Sequence, residues 1–348
     1  MKNNRMKVEK IVNRYIVNIN NGQKNTAGIK AKQDIADILT NNGYQQLSFR
    51  ISKSRLVKLL STKSKIKKVL KPVHTGDVLF VQYPLYSRYF LRRMQIAAKK
   101  KNIKLVGIIH DVEFLRNYLN DEEKSESEIA LFNNFDILIA HNDKMIEAMK
   151  SRGVTTRMLP LEVFDYLSES DLISPSLDKE LLFAGNLKKA PFLDSWNLDI
   201  NINLYGVFPS NSYGRHVHYQ GVKTPDELPE FLDGSFGLVW DGDRLETSSG
   251  VYGEYTRYNN PHKVSLYLSS GLPVIVWKSA AIATFIQENH LGLVVENLES
   301  LPKLVNQLTK SGYDEICSNV RKQALLLRKG HYTLKAAELA ITKLNVSR

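Results

Sequence analysis

The stretch Arg257–Trp277, "RYNNPHKVSLYLSSGLPVIVW", predicts a helix, a stop and a strand in direct succession. Apolar residues recur at helical spacing in "VSLYLSS", Gly271 can end the helix, and "PVIVW" is a short β-branched run. A strand that is apolar throughout indicates a parallel sheet with helices on both faces. The entrance of the helix, Asn259–Lys263, is unusual because it gathers two amides, a proline, a histidine and a lysine.

Strand and helix patterns alternate in the same way along the whole chain. The predicted strands are Tyr15–Ile19, Asp77–Gln82, Lys104–Ile109, Asp136–Ala140, Thr156–Leu159, Leu181–Ala184, Ile202–Tyr205, His216–Tyr219, Phe236–Trp240, Pro273–Val276 and Gly292–Val295. Helical patterns lie between them, and two long ones, 313–328 and 332–345, end the chain. The polar, weakly patterned stretch Leu161–Asp178 is predicted to be a linker. Two doubly wound α/β halves are therefore expected, with a ligand cleft between the carboxyl ends of their sheets.

Length and composition support a two-domain globular protein. The chain has 348 residues, of which 43% are apolar. No apolar run approaches the roughly 20 residues of a membrane span, and the basic N-terminus lacks the apolar core of a signal peptide. The single cysteine, Cys317, excludes an intrachain disulfide. A cytoplasmic protein is expected, and a homo-oligomer is left open.

The net charge of +12 favours an anionic partner. The segment Arg50–Lys71 contains many basic residues, no acidic residue and interleaved apolar residues. It is either an amphipathic helix that lies on anionic lipid at the inner face of the membrane, or a solvated helix whose apolar side packs on the domain. No nucleic-acid partner is expected, because helix-turn-helix and zinc-finger spacings are absent. Aromatic and basic residues also do not interleave as a single-strand platform requires.

Missing motifs disfavour several classes of enzyme. The sequence has no GxGxxG after a strand, no GxxxxGK[ST], no HExxH and no CxxC pair. This argues against a dinucleotide enzyme, a P-loop NTPase and a zinc hydrolase.

Two turns rich in small and amide residues follow predicted strands. In "NINNGQKNTA", residues 18–27, backbone N–H groups and Thr26 could meet an anion or a sugar, although a plain strand-to-helix turn fits as well. In "FAGNLKKA", the pair Gly185-Asn186 allows close backbone approach, and Lys188 or Lys189 could reach a phosphate. Each turn is a candidate contact with an anionic ligand.

Of the residues at the helix entrance, Lys263 is the hardest to explain by a purely structural role. Asn259 or Asn260 can cap the helix, and Pro261 suits its first turn. A lysine there is unfavourable, because the helix N-terminus already carries partial positive charge. A bound anion would remove the conflict; alternatively the lysine points to solvent, at a cost of about 0.3–1 kcal/mol.

Two further candidates lie where the cleft is expected. At the end of the strand Lys104–Ile109, the Asp111 carboxylate can take a proton from an acceptor hydroxyl, or it can cap the next helix. His110 can orient that base or contact a bound donor substrate, or it can be a buried structural histidine.

The loop "SGVYGEYTRYNN", residues 249–260, places tyrosines among polar groups. The ring of a tyrosine such as Tyr255 suits a sugar or uracil, Glu254 could accept sugar hydroxyls, and Arg257 could meet phosphate. A mobile surface loop is the alternative.

These residues carry a family resemblance. "YGEYTRYNNPHKVSLYLSSGLPVIVW" is similar to bacterial galactofuranosyltransferases of surface polysaccharide synthesis. "NINNGQKNTA", "IIHDVEFLR" and "FAGNLKKA" also resemble the related glucosyltransferases that extend serine-rich adhesins. Two Rossmann-like halves and a final helical pair look like the GT-B fold. The patches extend from about residue 14 to 328.

The resemblance implies an acceptor domain at 1–165, a nucleotide-sugar domain at 166–325 and a C-terminal helix at 326–348 that packs back on the first domain. A UDP-sugar would be the donor, and no cofactor or metal would be needed, so we interpret "DGD", Asp241–Asp243, as a turn. The family pattern implies that Lys263 and the turn Asn260–Ser265 hold the pyrophosphate, that Lys189 lies near the nucleotide and that Thr26 approaches it from the other domain. Together with residues singled out in the motifs above, these form the predicted set of donor contacts. The set is Thr26, Gly185, Asn186, Lys189, Tyr255, Arg257, Asn259, Asn260, Pro261, His262, Lys263, Val264 and Ser265.

For such a reaction we expect direct displacement at the anomeric carbon, and from the residues after the strand Lys104–Ile109 we choose Asp111 as the base, with His110 beside it. The expected reaction is hexosyl transfer, with galactofuranosyl as the first choice, to a lipid-linked or protein-linked glycan. An adhesin glucosyltransferase and a non-catalytic nucleotide-sugar-binding partner are the alternatives.

Overall fold

The fold is known from a computed structural model that describes residues 12–19, 27–49, 55–85 and 87–346. Two six-stranded sheets form the two halves of the chain, and every pairing between neighbouring strands is parallel. This confirms the expected α/β class with two Rossmann-like domains.

The first sheet has the strand order β2-β1-β3-β4-β5-β6. Its strands are β1 (Arg14–Ile19), β2 (Gln45–Phe49), β3 (Val78–Tyr83), β4 (Lys104–Ile109), β5 (Ile137–Ala140) and β6 (Arg157–Pro160). The second sheet has the order β12-β11-β10-β7-β8-β9. Its strands are β7 (Leu181–Asn186), β8 (Ile202–Val207), β9 (Val217–Tyr219), β10 (Gly237–Val239), β11 (Val274–Trp277) and β12 (Gly292–Val295). The central strands β3, β5, β10 and β11 are buried along their whole length, because helices cover both faces.

The helices connect the strands and cover the sheets. They are α1 (Ala27–Asn41), α2 (Arg55–Val69), α3 (Arg88–Lys100), α4 (Glu122–Phe132), α5 (Asp143–Ser151), α6 (Gly250–Tyr255), α7 (His262–Ser270), α8 (Ala283–Glu288), α9 (Leu301–Gln307), α10 (Lys310–Arg328) and α11 (His331–Val346). Gly271 ends α7 in the left-handed conformation, with a φ of 92°, which explains the glycine at this position. Within the described residues, no helix is long and apolar enough to cross a membrane.

The structure corrects three local predictions. The predicted linker Leu161–Asp178 is described throughout and does join the two sheets without a helix or strand, but its first part is not polar, because Leu161, Val163, Phe164 and Tyr166 are buried. The helical pattern at 225–232 becomes a short 3-10 turn, Leu228–Phe231, because prolines interrupt it. Residues 249–260 form α6 and a turn with one tyrosine buried, so the mobile-loop alternative is wrong.

The end of the chain returns to the first domain. Helix α10 packs on α7 of the second domain, whereas α11 packs on α1, β5 and β6 of the first. Arg328 lies between the two helices and donates to the carbonyls of Ser269 and Ser170. The Asp165 carboxylate accepts from the backbone N–H groups of Tyr332 and Thr333 at the start of α11. The last helix is therefore fixed to the segment that joins the two sheets.

Candidate functional site

The carboxyl ends of the two sheets face each other, and side chains from the second domain reach the first. The backbone N–H of Val112, which follows β4, donates to the Tyr255 hydroxyl of α6 at 2.8 Å. The backbone N–H of Asn260, before α7, donates to Nδ1 of His141, which follows β5, at 2.9 Å. The candidate site lies at this junction, where open α/β sheets bind their ligands.

On the second domain, Lys263 projects from the first turn of α7. Its Nζ donates to the Asp241 carboxylate at 3.0 Å and to the Trp240 carbonyl at 3.3 Å, and it lies 4.3 Å from the Phe183 ring centroid. The Lys263 and Asp241 side chains are 14% and 18% exposed. The unfavourable charge noted in the sequence is therefore partly balanced by Asp241, and the solvent-pointing alternative is wrong. The sequence alone indicates only a turn at Asp241, because its partner Lys263 lies 22 residues further along the chain.

The carboxyl end of β7 and the turn that follows it lie next to this lysine. A Cβ added to Gly185 would stand 3.9 Å from Cε of Lys263, so the two residues are neighbours. The Asn186 side chain accepts from the N–H of Lys188 and caps the following 3-10 turn. Lys189 places its Nζ 4.3 Å from the Tyr252 ring centroid, and its carbonyl accepts from the N–H of Gly242. Two lysines of the second domain thus flank one turn at the cleft.

The entrance of α7 differs from the expected cap. Pro261 is the N-cap residue, and no side chain caps the helix, so the capping role given to Asn259 or Asn260 is wrong. The Asn260 amide donates to the carbonyls of His141 (2.9 Å) and Glu162 (2.7 Å) and accepts from Asn142 (2.7 Å). Because its donors are used in this way, Asn260 joins the two domains and presents no free N–H to a phosphate.

Tyr255 also has a different place from the expected one. Its side chain is only 2% exposed and packs in the core of the first domain. Its hydroxyl holds the backbone at Val112, and the Arg116 guanidinium lies 5.2 Å from its ring centroid. The sequence had suggested that this ring stacks on a sugar or uracil. In this structure the ring is buried and is not available for such stacking.

The other predicted donor contacts near α7 are packed at the cleft, with the exception of Arg257. Three buried polar atoms of the described segment 259–265, Asn259 Oδ1, His262 Nε2 and Ser265 Oγ, have no hydrogen-bond partner among the described residues. Val264 is fully buried. The Arg257 side chain is exposed: its Nε donates to the Glu254 carboxylate at 2.7 Å, and its guanidinium lies 4.3 Å from the Trp277 ring centroid. Burial lowers the pKa of His262 to about 3, so its imidazole is neutral.

On the first domain, Asp111 and His110 follow β4. The Asp111 carboxylate pairs with Arg116 at 2.8 Å, and Arg116 also binds Glu113 at 2.6 Å. The 3-10 turn after β4 has Val112 as its cap residue, so the alternative that Asp111 caps it is wrong. Burial raises the pKa of Asp111, opposed by the positive charges of Arg116, Lys189 and Lys32 and supported by Glu113. A third-exposed carboxylate with a raised pKa is suited to accept a proton.

His110 belongs to a network that the sequence did not reveal. Its Nε2 lies 2.8 Å from Oε1 of Gln82, whose amide donates to the Lys32 carbonyl at 2.9 Å, and its ring stacks on Phe164. Burial, followed by the positive charge of Lys32, lowers its pKa well below the usual value. Burial also lowers the pKa of Lys32 to about 8, while Asp111 opposes the shift. The His110 imidazole is therefore neutral near pH 7, and its role beside Asp111 stays a prediction.

Lys32 is a candidate site residue that sequence reasoning missed. It projects from α1 and donates to the Pro84 carbonyl. It lines a pocket that opens at the ends of β1 and β3. The lining residues are Val17, Asn18, Ile19, Ile29, Lys32, Gln33, Gln82, Pro84 and Leu85. The sequence gives no signal for it, because Lys32 is one of two lysines in α1 and its position at the pocket depends on the fold.

Several predictions are not decided by the structure. Thr26 lies outside the described residues, so its approach to the donor stays a prediction. Within the described parts of the chain, no three His, Cys, Asp or Glu side chains form a group that could hold a metal ion. The donor roles of Gly185, Asn186, Lys189 and Lys263 likewise stay predictions.

Comparisons with known proteins identify the family. A family model described as the glucosyltransferase 3-like N-terminal domain matches residues 13–163, and the corresponding C-terminal domain model matches residues 181–340. The chain belongs to the glucosyltransferase 3-like family. Each matched range contains one of the two sheets described above, and the segment between the two ranges is the one that joins the sheets.

Relatives of this glucosyltransferase 3-like chain carry names from both branches of the resemblance. It is 28% identical to "Beta-1,6-galactofuranosyltransferase WbbI" of Escherichia coli (strain K12), over 95% of this chain and 99% of the relative. It is 27% identical to "Glucosyltransferase 3" of Streptococcus gordonii, over 92% of this chain and 96% of the relative. The expected family resemblance is confirmed.

Solved structures agree with the fold. An alpha-glucosyltransferase (AGT) solved in complex with UDP superposes with a TM-score of 0.59 at 11% identity, covering 95% of this chain and 99% of that one. A trehalose-6-phosphate synthase superposes with a TM-score of 0.57 at 10% identity, with the same coverage. The GT-B fold class is therefore confirmed.

Proposed function

We propose that this chain transfers a hexosyl group from a UDP-sugar to a hydroxyl of a sugar acceptor. The observation that carries the proposal is the meeting of opposite charges across the cleft. The positive charge of Lys189 in the second domain acts on the Asp111 carboxylate of the first, where it opposes the rise in pKa that burial causes. One face of the cleft can receive a diphosphate while the other supplies a base.

The second domain is suited to hold the donor. Lys263 and Lys189 offer two cations beside Gly185, where the lack of a side chain lets a ligand approach the backbone. The N-terminus of α7, with Lys263 in its first turn, adds the positive end of the helix dipole. Asp241 orients Lys263, and the diphosphate would share or displace that contact.

The first domain would hold the acceptor and activate it. As the acceptor oxygen bonds to the anomeric carbon, its proton passes to the Asp111 carboxylate. The bond from the anomeric carbon to the diphosphate oxygen breaks, and UDP leaves with the electron pair. Lys263, Lys189 and the α7 N-terminus stabilise the charge that develops on the leaving diphosphate.

Tyr255 would position the proposed base. Its hydroxyl fixes the backbone at Val112, next to Asp111, and its ring supports the Arg116 guanidinium that binds Asp111. A Tyr255→Phe variant should lower kcat more than it raises the KM for the donor, and it should shift the acidic limb of the pH profile. A purely structural role would lower the amount of folded enzyme and leave the pH profile of the remainder unchanged.

The roles of the two domains can be tested with paired variants. Asp111→Asn should lower kcat by about a hundredfold to ten-thousandfold while UDP still binds. Glu113→Gln is the matched control, because it removes the other carboxylate bound to Arg116. Full transfer by a folded Asp111→Asn variant would refute the assignment of the base.

Lys263→Met keeps the length of the side chain and removes its charge. We expect UDP to bind about tenfold to a hundredfold more weakly, measured by isothermal titration calorimetry. Lys303→Met, on the exposed side of α9, removes an equal charge far from the cleft. Unchanged UDP affinity in Lys263→Met would contradict the proposed phosphate contact.

The sugar is proposed to be galactofuranose, in agreement with the relative from Escherichia coli, and glucose is the second candidate, favoured by the streptococcal relatives. A donor screen that measures UDP release from UDP-galactofuranose and UDP-glucose separates the two. Release from neither donor, with UDP bound, would favour a non-catalytic binding partner. Activity unchanged by EDTA is expected, since positive side chains and a helix terminus would serve the diphosphate.

The acceptor is proposed to be a lipid-linked or protein-linked glycan, and the enzyme is proposed to act in the cytoplasm without a cofactor. Comparison of a soluble disaccharide, a lipid-linked sugar and a glycosylated adhesin peptide as acceptors tests this part. Transfer to only the peptide would select the adhesin branch.

A further inference from the structure

The positive charge of this chain is concentrated in one segment. Residues 38–110 contain sixteen Lys and Arg residues and a single acidic residue, Asp77. Asp77 is buried, and its carboxylate accepts from the backbone N–H groups of Asn13 and His74. The remainder of the chain therefore has a slightly negative net charge, since the whole chain carries +12. The positive charge is therefore localised in one part of the chain and is not spread evenly over it.

The fold places eleven of these sixteen basic residues on two neighbouring helices. Helices α2 and α3 pack against each other and on the same side of the first sheet. The Lys101 ammonium ties them together, because it donates to the carbonyls of Leu70 and Val73 after α2. We define the α2–α3 face by their exposed described side chains. These are Lys63, Ser64, Lys67, Lys68, Tyr89, Arg92, Arg93, Ile96, Lys99 and Lys100, together with Lys71 just after α2.

Two exposed apolar side chains lie within the basic surface. Tyr89 is 46% exposed and Ile96 is 42% exposed, and both lie on the outer side of α3 with Arg92 and Arg93 between them. A basic helix with an aromatic and an aliphatic side chain on its outward surface is suited to the boundary between headgroups and acyl chains. The α2–α3 face therefore matches an anionic lipid surface in charge and in its apolar contacts.

We propose that the α2–α3 face docks on an anionic lipid bilayer. The sequence had suggested such a role for Arg50–Lys71 alone; the structure adds α3, which supplies the exposed apolar residues. Helix α3 begins shortly after the carboxyl end of β3, close to Pro84 at the rim of the cleft. Docking along this face would bring that rim towards acceptors held in the membrane.

This inference does not depend on the proposed chemistry of the cleft, and the two can fail separately. The experiment is co-sedimentation of the full chain with vesicles of phosphatidylcholine, with and without phosphatidylglycerol, at low and high salt. Each basic residue near an anionic surface strengthens binding by about fivefold. The Arg92→Gln/Arg93→Gln variant should therefore bind anionic vesicles more than tenfold more weakly, and transfer to a soluble acceptor should be unchanged.

A matched control is available on the second domain. Arg321 and Lys322 are an adjacent, exposed basic pair on α10, so Arg321→Gln/Lys322→Gln removes the same charge elsewhere. It should bind vesicles as the unaltered protein does. Tyr89→Ser/Ile96→Ser should weaken the part of the binding that resists high salt.

Three results would overturn the proposal. One is no binding to phosphatidylglycerol vesicles at low salt, and another is equal loss of binding in both double-glutamine variants. The third is tight, salt-sensitive binding of an RNA or DNA oligonucleotide by a protein that does not bind the vesicles, because the face would then serve a nucleic acid.

Discussion

Replacing Asn260 by alanine tests whether this residue joins the domains or binds the donor. Its amide makes three side-chain hydrogen bonds to the first domain, with the His141 carbonyl, the Glu162 carbonyl and the Asn142 amide. The alanine variant leaves those three groups without their partner in a buried setting. At about 1 kcal/mol for each bond, the loss is about 3 kcal/mol.

The loss can be converted to a shift in melting temperature. An unfolding entropy of about 2.1 cal/mol/K per residue gives roughly 0.7 kcal/mol/K for 348 residues. The midpoint measured by scanning calorimetry should therefore fall by about 4 °C in Asn260→Ala. The midpoint of Asn260→Asp should fall further, because the substitution replaces the donating NH2 group by an oxygen that faces two carbonyl oxygens. Asn306→Ala, on the exposed side of α9, is the control and should melt as the unaltered protein does.

UDP affinity completes the test. Because the amide is already bonded inside the protein, the folded Asn260→Ala variant should bind UDP within about threefold of the unaltered protein. A midpoint within 1 °C of the original (about 0.7 kcal/mol), together with a large loss of UDP affinity, would refute this reasoning and return Asn260 to the phosphate site.

Further predictions concern buried carboxyls and glycines. Burial raises the pKa of Asp34 to about 6 and that of Asp165 to about 7, above the value near 3.9 of an unfolded chain, so the folded state binds these protons more tightly. The free energy of unfolding should therefore decrease as pH rises from about 4 to about 7, and Asp165→Asn should flatten this slope; urea denaturation as a function of pH measures it, and an unchanged slope would contradict the assignment. Gly237→Ala should cost several kcal/mol or prevent folding, because the new Cβ would lie 2.4 Å from the buried Tyr267 ring. Gly28→Ala, where nothing lies within 4 Å of the new Cβ at an exposed position of α1, should add up to about 1 kcal/mol, and equal stability of the two alanine variants would be the contrary result.

The elements missed from the sequence share a physical cause. The strand β2 is an edge strand whose residues, "QQLSF", are mostly exposed, so no apolar run marks it. Helix α6 contains two glycines, Gly250 and Gly253, and is stabilised by burial of Tyr255 against the other domain. Both depend on contacts made by distant parts of the chain, and local patterns do not record those contacts.

The sequence by itself determined the α/β class, the two sheets and the position of Lys263 in a helix entrance. Continuous apolar strands between helices admit few other folds. Only the tertiary structure decided the partners: Lys263 bonds to Asp241, 22 residues away, and Asn260 bonds to His141, 119 residues away. The reason is that parallel strands bring their carboxyl ends together through crossover connections. Neighbours at the cleft are therefore set by strand order and by the meeting of the two domains, and not by spacing along the chain.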